Sequence, residues 1–197
     1  MPWRPGRGHD SVDTRILAPQ TATVVHFQGQ DAQGQDAICT DEYGRVRLRF
    51  HWDRSNGGDG AGTSAWVRVA GAWNGAELGA AAIPRIGSEV LVQWLDGNPD
   101  RPIVTGAVPN SGNMPPWELP GQRALTGLRS RELLPGGGNA TGGRSNHLVL
   151  DDTAGAIQAQ LKSDHAHSQL SLGHVARIDD CQGRKDARGA CLICLDR

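Results

Sequence analysis

The stretch "GRVRLRFHWDR", residues 44–54, decides how this chain is read. As an extended strand it has two unlike faces, because side chains alternate along it. Arg45, Arg47, Arg49 and His51 fall on one side; Val46, Leu48, Phe50 and Trp52 fall on the other. A half-buried structural strand shows this pattern, and so does a nucleic-acid-binding sheet. In the structural case the apolar four face a core. The arginines then lie outside, facing solvent or carboxylates of a neighbouring strand or subunit.

Four further strands flank it: "TATVVHF" (21–27), "AWVRVA" (65–70), "EVLVQWL" (89–95) and "IVTGAV" (103–108). "DGNPDRP" (96–102) is turn chemistry, in which Asp100 is expected to bond backbone amides two residues on. Gly44, Gly87 and Gly97 are expected to supply turn conformations closed to other residues. The stretch 71–87 reads as irregular, with one short helical turn. Five short strands joined by Gly-rich turns predict an all-β fold, a small antiparallel barrel. The five-stranded OB-fold leads, and SH3-like barrels share the pattern. Trp52, Trp66 and Trp94 are the expected core or interface anchors.

Composition narrows the function. The 197 residues carry 20 Lys+Arg against 21 Asp+Glu, a formal net charge of -1. A dedicated nucleic-acid binder carries a clear basic excess, so any basic stripe here is local. No apolar run approaches the length of a membrane span, which argues against stable membrane insertion. The N-terminus "MPWRPGRGHD" lacks the apolar stretch of a secretory signal, which leaves cytoplasmic synthesis.

The organisation follows from composition shifts. Residues 1–18 read as a polar arm and 19–109 as the barrel. The prolines and glycines of 110–146 read as a linker. Residues 147–189 carry short strands, "HLVLDD" (147–152), "GAIQAQLK" (155–162) and "SQLSLGH" (168–174). Ile157, Ala159 and Leu161 alternate with Gln158, Gln160 and Lys162, while Leu170 and Leu172 alternate with Gln169 and Ser171. So small a segment offers too little apolar surface for its own core. Its apolar face is expected to be closed by other chains. Residues 190–197 form an atypical tail.

Candidate chemistry is sparse. His165 and His167 share a face if extended, and imidazoles gathered around an axis suit zinc, nickel or iron. Further extended sequence, "SQLSLGH" (168–174), follows them, so solvent or interface histidines are the plainer reading. Cys191 and Cys194 form a C-x-x-C, but His174 and Cys181 complete no standard zinc spacing. Ser171, His174 and Asp179 can be drawn as a triad, yet no nucleophile elbow surrounds Ser171. "GGGNATGG" (136–143) lacks the Lys-Ser/Thr of a phosphate loop. No catalytic residue, cofactor or metal site is assigned.

The ordered string "TDEYGRVRLRFHWDR" (40–54), "WVRVA" (66–70) and "IPRIGSEVLVQWLDGNPDRPIVTGAVPN" (83–110) closely resembles VgrG proteins, the spikes of type VI secretion related to those of contractile phage tails. "TGLRSRELLPGGGNATGGRSNHLVLDDTAGAIQAQLKSDHAHSQLSLGH" (126–174) resembles the region that follows their barrel. The resemblance covers roughly residues 16–189. It implies an OB-fold neck, then the start of a trimeric β-helix or β-prism in which three chains share one core. It also implies a mechanical, non-catalytic piercing role, export by the type VI machine, and a tube protein, a tip protein and effectors as partners.

Two departures qualify the resemblance. The family has a large region before the barrel and a long needle after it, whereas this chain ends "ACLICLDR" (190–197). A truncated or frameshifted remnant, or a boundary set for expression, is the expectation that follows, with the regions that would dock the tube and tip proteins expected to be missing. The competing function is an OB-fold module binding single-stranded nucleic acid through Arg45, Arg47 and Arg49 with stacking aromatics. The alternation opposes it, since Phe50 and Trp52 lie opposite the arginines.

Overall fold

The computed structural model describes residues 14–26, 38–54, 63–133, 143–165, 168–174 and 192–194. These fall into two compact units, divided at Asn113/Met114. The expected positions His167, Asp179, Cys181 and Cys191 lie outside the described residues.

The first unit contains β1 (Gln20–Val25), β2 (Arg47–Phe50), β3 (Arg68–Val69), β4 (Asn74–Gly75), β5 (Leu78–Gly79), β6 (Glu89–Trp94) and β7 (Pro102–Ala107). Five of them form one sheet in the order β2-β1-β6-β7-β3. A bridge between Val46 and Val67, with both backbone bonds made, joins the two ends of that order. The pairings are antiparallel except β3 with β7, which is parallel. The expected barrel is therefore present, with one parallel seam. The parallel pair is separated by residues 70–101, long enough for the crossover that parallel pairing requires. This is the OB-fold strand order, and the chain is all-β.

Alternation built the core. Ala22, Val24, Val46, Leu48, Val67, Val90, Val92 and Val104 are buried together, with Phe50, Val69, Ile83 and Trp94 packed against them. Trp52 departs from expectation: it is 67% exposed. β2 ends at Phe50, where the Asp53 amide turns back to its carbonyl, so the alternation stops before residue 52. Trp52 instead stacks on Phe50, centroids 5.3 Å apart, and donates its indole N–H to Gln20.

Two local readings change. No helical turn forms within 71–87; β4 and β5 make a hairpin of their own. Glycine disfavours helix and admits close backbone approach. A Cβ on Gly79 would stand 2.4 Å from the Trp73 carbonyl oxygen. In the 95–101 turn it is Asn98 Oδ1 that accepts from the Asp100 amide, not Asp100 that accepts. Gly44, Gly87 and Gly97 do take positive φ.

The second unit is an antiparallel sheet of β8 (Leu125–Arg131), β9 (Ser145–Asp151), β10 (Gln158–Ser163), β11 (Ser168–Gly173) and β12 (Leu192–Cys194), in the order β12-β11-β10-β9-β8. β8 lies inside the stretch read as linker, and β12 inside the tail. Neither alternates apolar with polar strongly enough to be read alone. Their partners, β9 and β11, define them by pairing.

Candidate assembly surface

β9, β10 and β11 have opposite faces of opposite character, and the usual assignment is reversed. The polar face is buried: Ser145, His147, Gln158, Gln160 and Ser171 are each at most 4% exposed, alongside Val149. The apolar face is open. Strand register lines Leu128, Leu148, Leu161 and Leu170 into one row, and Thr126, Leu150, Ala159 and Leu172 into the next. Leu128 is 74% exposed, and Leu148, Leu150, Leu161 and Leu172 are near half. Contiguous exposed apolar rows of this kind mark an interaction surface.

The buried face satisfies itself. His147 Nε2–H donates to Gln160 Oε1 at 2.8 Å, and Gln160 Nε2 donates to Ser171 Oγ at 3.1 Å. Ser171 is thus a structural acceptor held by Gln160, and among the described residues no hydrogen bond joins it to His174. At one end of the sheet, Arg144 forms a paired ion bridge to Glu132 and also donates to His165 Nδ1. The hydrogen bonds that Arg144 donates to Glu132, first from its guanidinium and then from its amide, hold that carboxyl down to about 2. Nearby, Asp164 Oδ2 accepts from the amide and hydroxyl of Ser145, and Lys162 lies 3.3 Å from its other oxygen. Partial burial works against its ionised form, but the Ser145 bonds and Lys162 prevail and hold it at about 2. These clamps span 12 and 19 residues of sequence, so no local motif announces them.

The arginine stripe of the barrel lies outside, as the alternation requires. Its aromatics, however, are not all opposite it. Arg45 lies over the Tyr43 ring at 5.1 Å, and Arg47 over Trp66 at 5.0 Å. Arg45 also pairs with Asp41 through its Nε–H. Two of the three guanidiniums and the rings nearest them already occupy each other, and the nucleic-acid reading has no support. Arg49 and Arg68 are exposed, with no partner among the described residues. His51 Nε2 lies 3.0 Å from Thr21 Oγ1 and 3.7 Å from Glu89. Asn110 donates to Glu89 at 2.6 Å and, with Thr21, keeps that carboxyl below its ordinary range. His165 is exposed and its Nδ1 is engaged by Arg144. Among the described residues no three His, Cys, Asp or Glu side chains group to hold a metal, and no helix is long and apolar enough to cross a membrane.

Comparison with known proteins agrees with this geometry in both units. Residues 35–108 match the "Type VI secretion system/phage-baseplate injector OB domain". Residues 138–192 match "Putative type VI secretion system Rhs element Vgr". The spike protein VgrG2a of Pseudomonas aeruginosa is 43% identical over 173 residues, 88% of this chain and 18% of that protein. VgrG2b of the same organism is likewise 43% identical over 173 residues, 15% of its length. The actin cross-linking toxin VgrG1 of Vibrio cholerae is 43% identical over 148 residues, 75% of this chain and 12% of that protein. The chain therefore spans under a fifth of the length of these relatives. With the OB-fold strand order, the strands that follow it and these matches in hand, the chain belongs to the VgrG family of type VI secretion spike proteins.

Proposed function

We propose that this chain is a structural, non-catalytic segment of a type VI secretion spike that assembles as a homotrimer. The barrel over 19–109 serves as its neck, and the strands from 147 onward begin a shared β-prism. The observation that carries the reading is the open leucine face of β9–β11 over a buried polar one. Burying a leucine fully is worth about 1.5–3 kcal/mol. A chain that leaves four leucines half-open there, with Leu128 of β8 more open still, is short of a partner surface, and copies of itself supply an identical one. Family membership supports export by the type VI machine. It also supports a tube protein, a tip protein and effectors as partners of the whole spike, of which this chain spans only a part. The cross-linking activity named for the Vibrio relative stays with that protein. No cofactor is required by a mechanical role.

Native mass spectrometry of the full chain tests this. The expected species is three copies. A monomer at tens of micromolar, with the leucine face protected from hydrogen exchange, would sink the reading.

A further inference from the structure

The β4–β5 hairpin belongs to no other sheet. Every residue from 70 to 82 is exposed, including Trp73 at 64% and Leu78 at 53%. A two-stranded hairpin alone is marginal in water, yet this one is shaped with care. Ala80 donates back to the Trp73 carbonyl at 2.8 Å. Gly75 lets Leu78 fold against the backbone, since a Cβ there would meet its Cδ1 at 2.8 Å. The arm carries six alanines and a single charge, Glu77. Glu77 sits at the turn with φ 56, a left-handed conformation that disfavours non-glycine residues. Its carboxylate has no partner among the described residues, and neither do Arg49 and Arg68 on the outer face of the same barrel.

We propose that the 70–82 arm docks on the barrel of a neighbouring copy of this chain, with Trp73 and Leu78 as apolar anchors and Glu77 pairing with that copy's Arg49 and Arg68. An arm and its receptor on different patches of one chain make a head-to-tail contact, which closes into a ring under rotational symmetry. The charge complement favours a second copy: the arm offers one acid, and the barrel offers Arg49 and Arg68, unpaired among the described residues, on strands joined by the Val46–Val67 bridge. The inference rests on the assembly reading above and adds a second contact to it.

The test compares dissociation of the full-length assembly on dilution, by mass photometry. Trp73→Ser with Leu78→Ser is expected to raise the midpoint concentration at least about tenfold. Glu77→Arg alone, and Arg49→Glu with Arg68→Glu, are each expected to weaken assembly. All three charge changes together are expected to restore it. Every altered residue is exposed, so unchanged circular dichroism confirms folding. A wild-type trimer whose midpoint the arm variants leave unmoved overturns this inference and leaves the assembly reading standing. A wild-type monomer overturns both.

Discussion

His147 and Gln160 face each other across β9 and β10, Nε2 to Oε1 at 2.8 Å, both buried on the side of the sheet away from the leucines. Gln160 spends its other end on Ser171, so one amide satisfies two strands. A buried polar chain of this kind is stabilising only while complete.

Gln160→Ala removes both bonds and leaves His147 and Ser171 buried without them. An unsatisfied buried polar group costs about 1–3 kcal/mol. Amide exchange in β9–β11 is expected to quicken by about tenfold or more, while exchange in β1, β2 and β6 is unchanged. Equal protection in the variant and the parent would show that the ladder contributes nothing.

The barrel depends on Leu48, which is fully buried at the centre of its core. Leu48→Ala is expected to cost about 2–5 kcal/mol, and Leu48→Asp to unfold the barrel. Arg47→Gln loses its place over Trp66 and its bonds to Thr63 and Ser64, a cost of about 1 kcal/mol. Tryptophan fluorescence in urea reads both. A Leu48→Ala midpoint no lower than that of Arg47→Gln would contradict this core.

Asp41 organises the entry to β2. Its Oδ1 accepts from the amides of Tyr43 and Arg45, and its Oδ2 from Arg45 Nε, while Gly44 supplies a φ of 69. Asp41→Ala frees both amides and is expected to lower stability by about 1–2 kcal/mol. Asp41→Asn keeps the Oδ1 bonds and is expected to recover more than half of that loss in the same urea titration.

These outcomes separate what was legible in the sequence from what was not. Val46, Leu48, Val90 and Val92 were readable because period-two burial is written in neighbouring residues. Trp52 was not, because the alternation gives no signal of where β2 stops. The leucine rows were legible as a face needing cover. The burial of His147, Gln160 and Ser171 was not, since polar residues opposite leucines read as solvent-facing. Trp66 and Tyr43 lie on the arginine face through pairings outside the strand that was read. Pairing across 12–19 residues, as in the Arg144 and Asp164 clamps, leaves no local trace.

Assembly is expected to hang on the open face. Leu148→Asp with Leu161→Asp puts charges on adjacent positions of one leucine row. Both side chains are half exposed in the single chain, so the monomer's fold tolerates them. Sedimentation is expected to show monomer, with the barrel's urea midpoint unmoved. A persistent trimer would place the interface elsewhere.

Acid should act on the second sheet. The Glu132 carboxyl, held by Arg144, falls from 4.5 to about 2, and Asp164, held by Ser145 and Lys162 against its desolvation, falls from 3.8 to about 2. A carboxyl whose folded value lies below its unfolded one binds fewer protons when folded. Its contribution is complete above the unfolded value and is lost as pH falls toward the folded one. The window therefore opens near 4.5 and closes near 2. Both groups lie near the surface, so salt is expected to narrow the effect. Hydrogen exchange of β9 and β10 followed from pH 5 to pH 2, corrected for intrinsic rates, is expected to lose protection across that window. Asp164→Asn with Glu132→Gln is expected to start from lower protection at pH 5 and to change little below it. A double variant that keeps the parent's full pH slope would assign the acid sensitivity to other carboxyls.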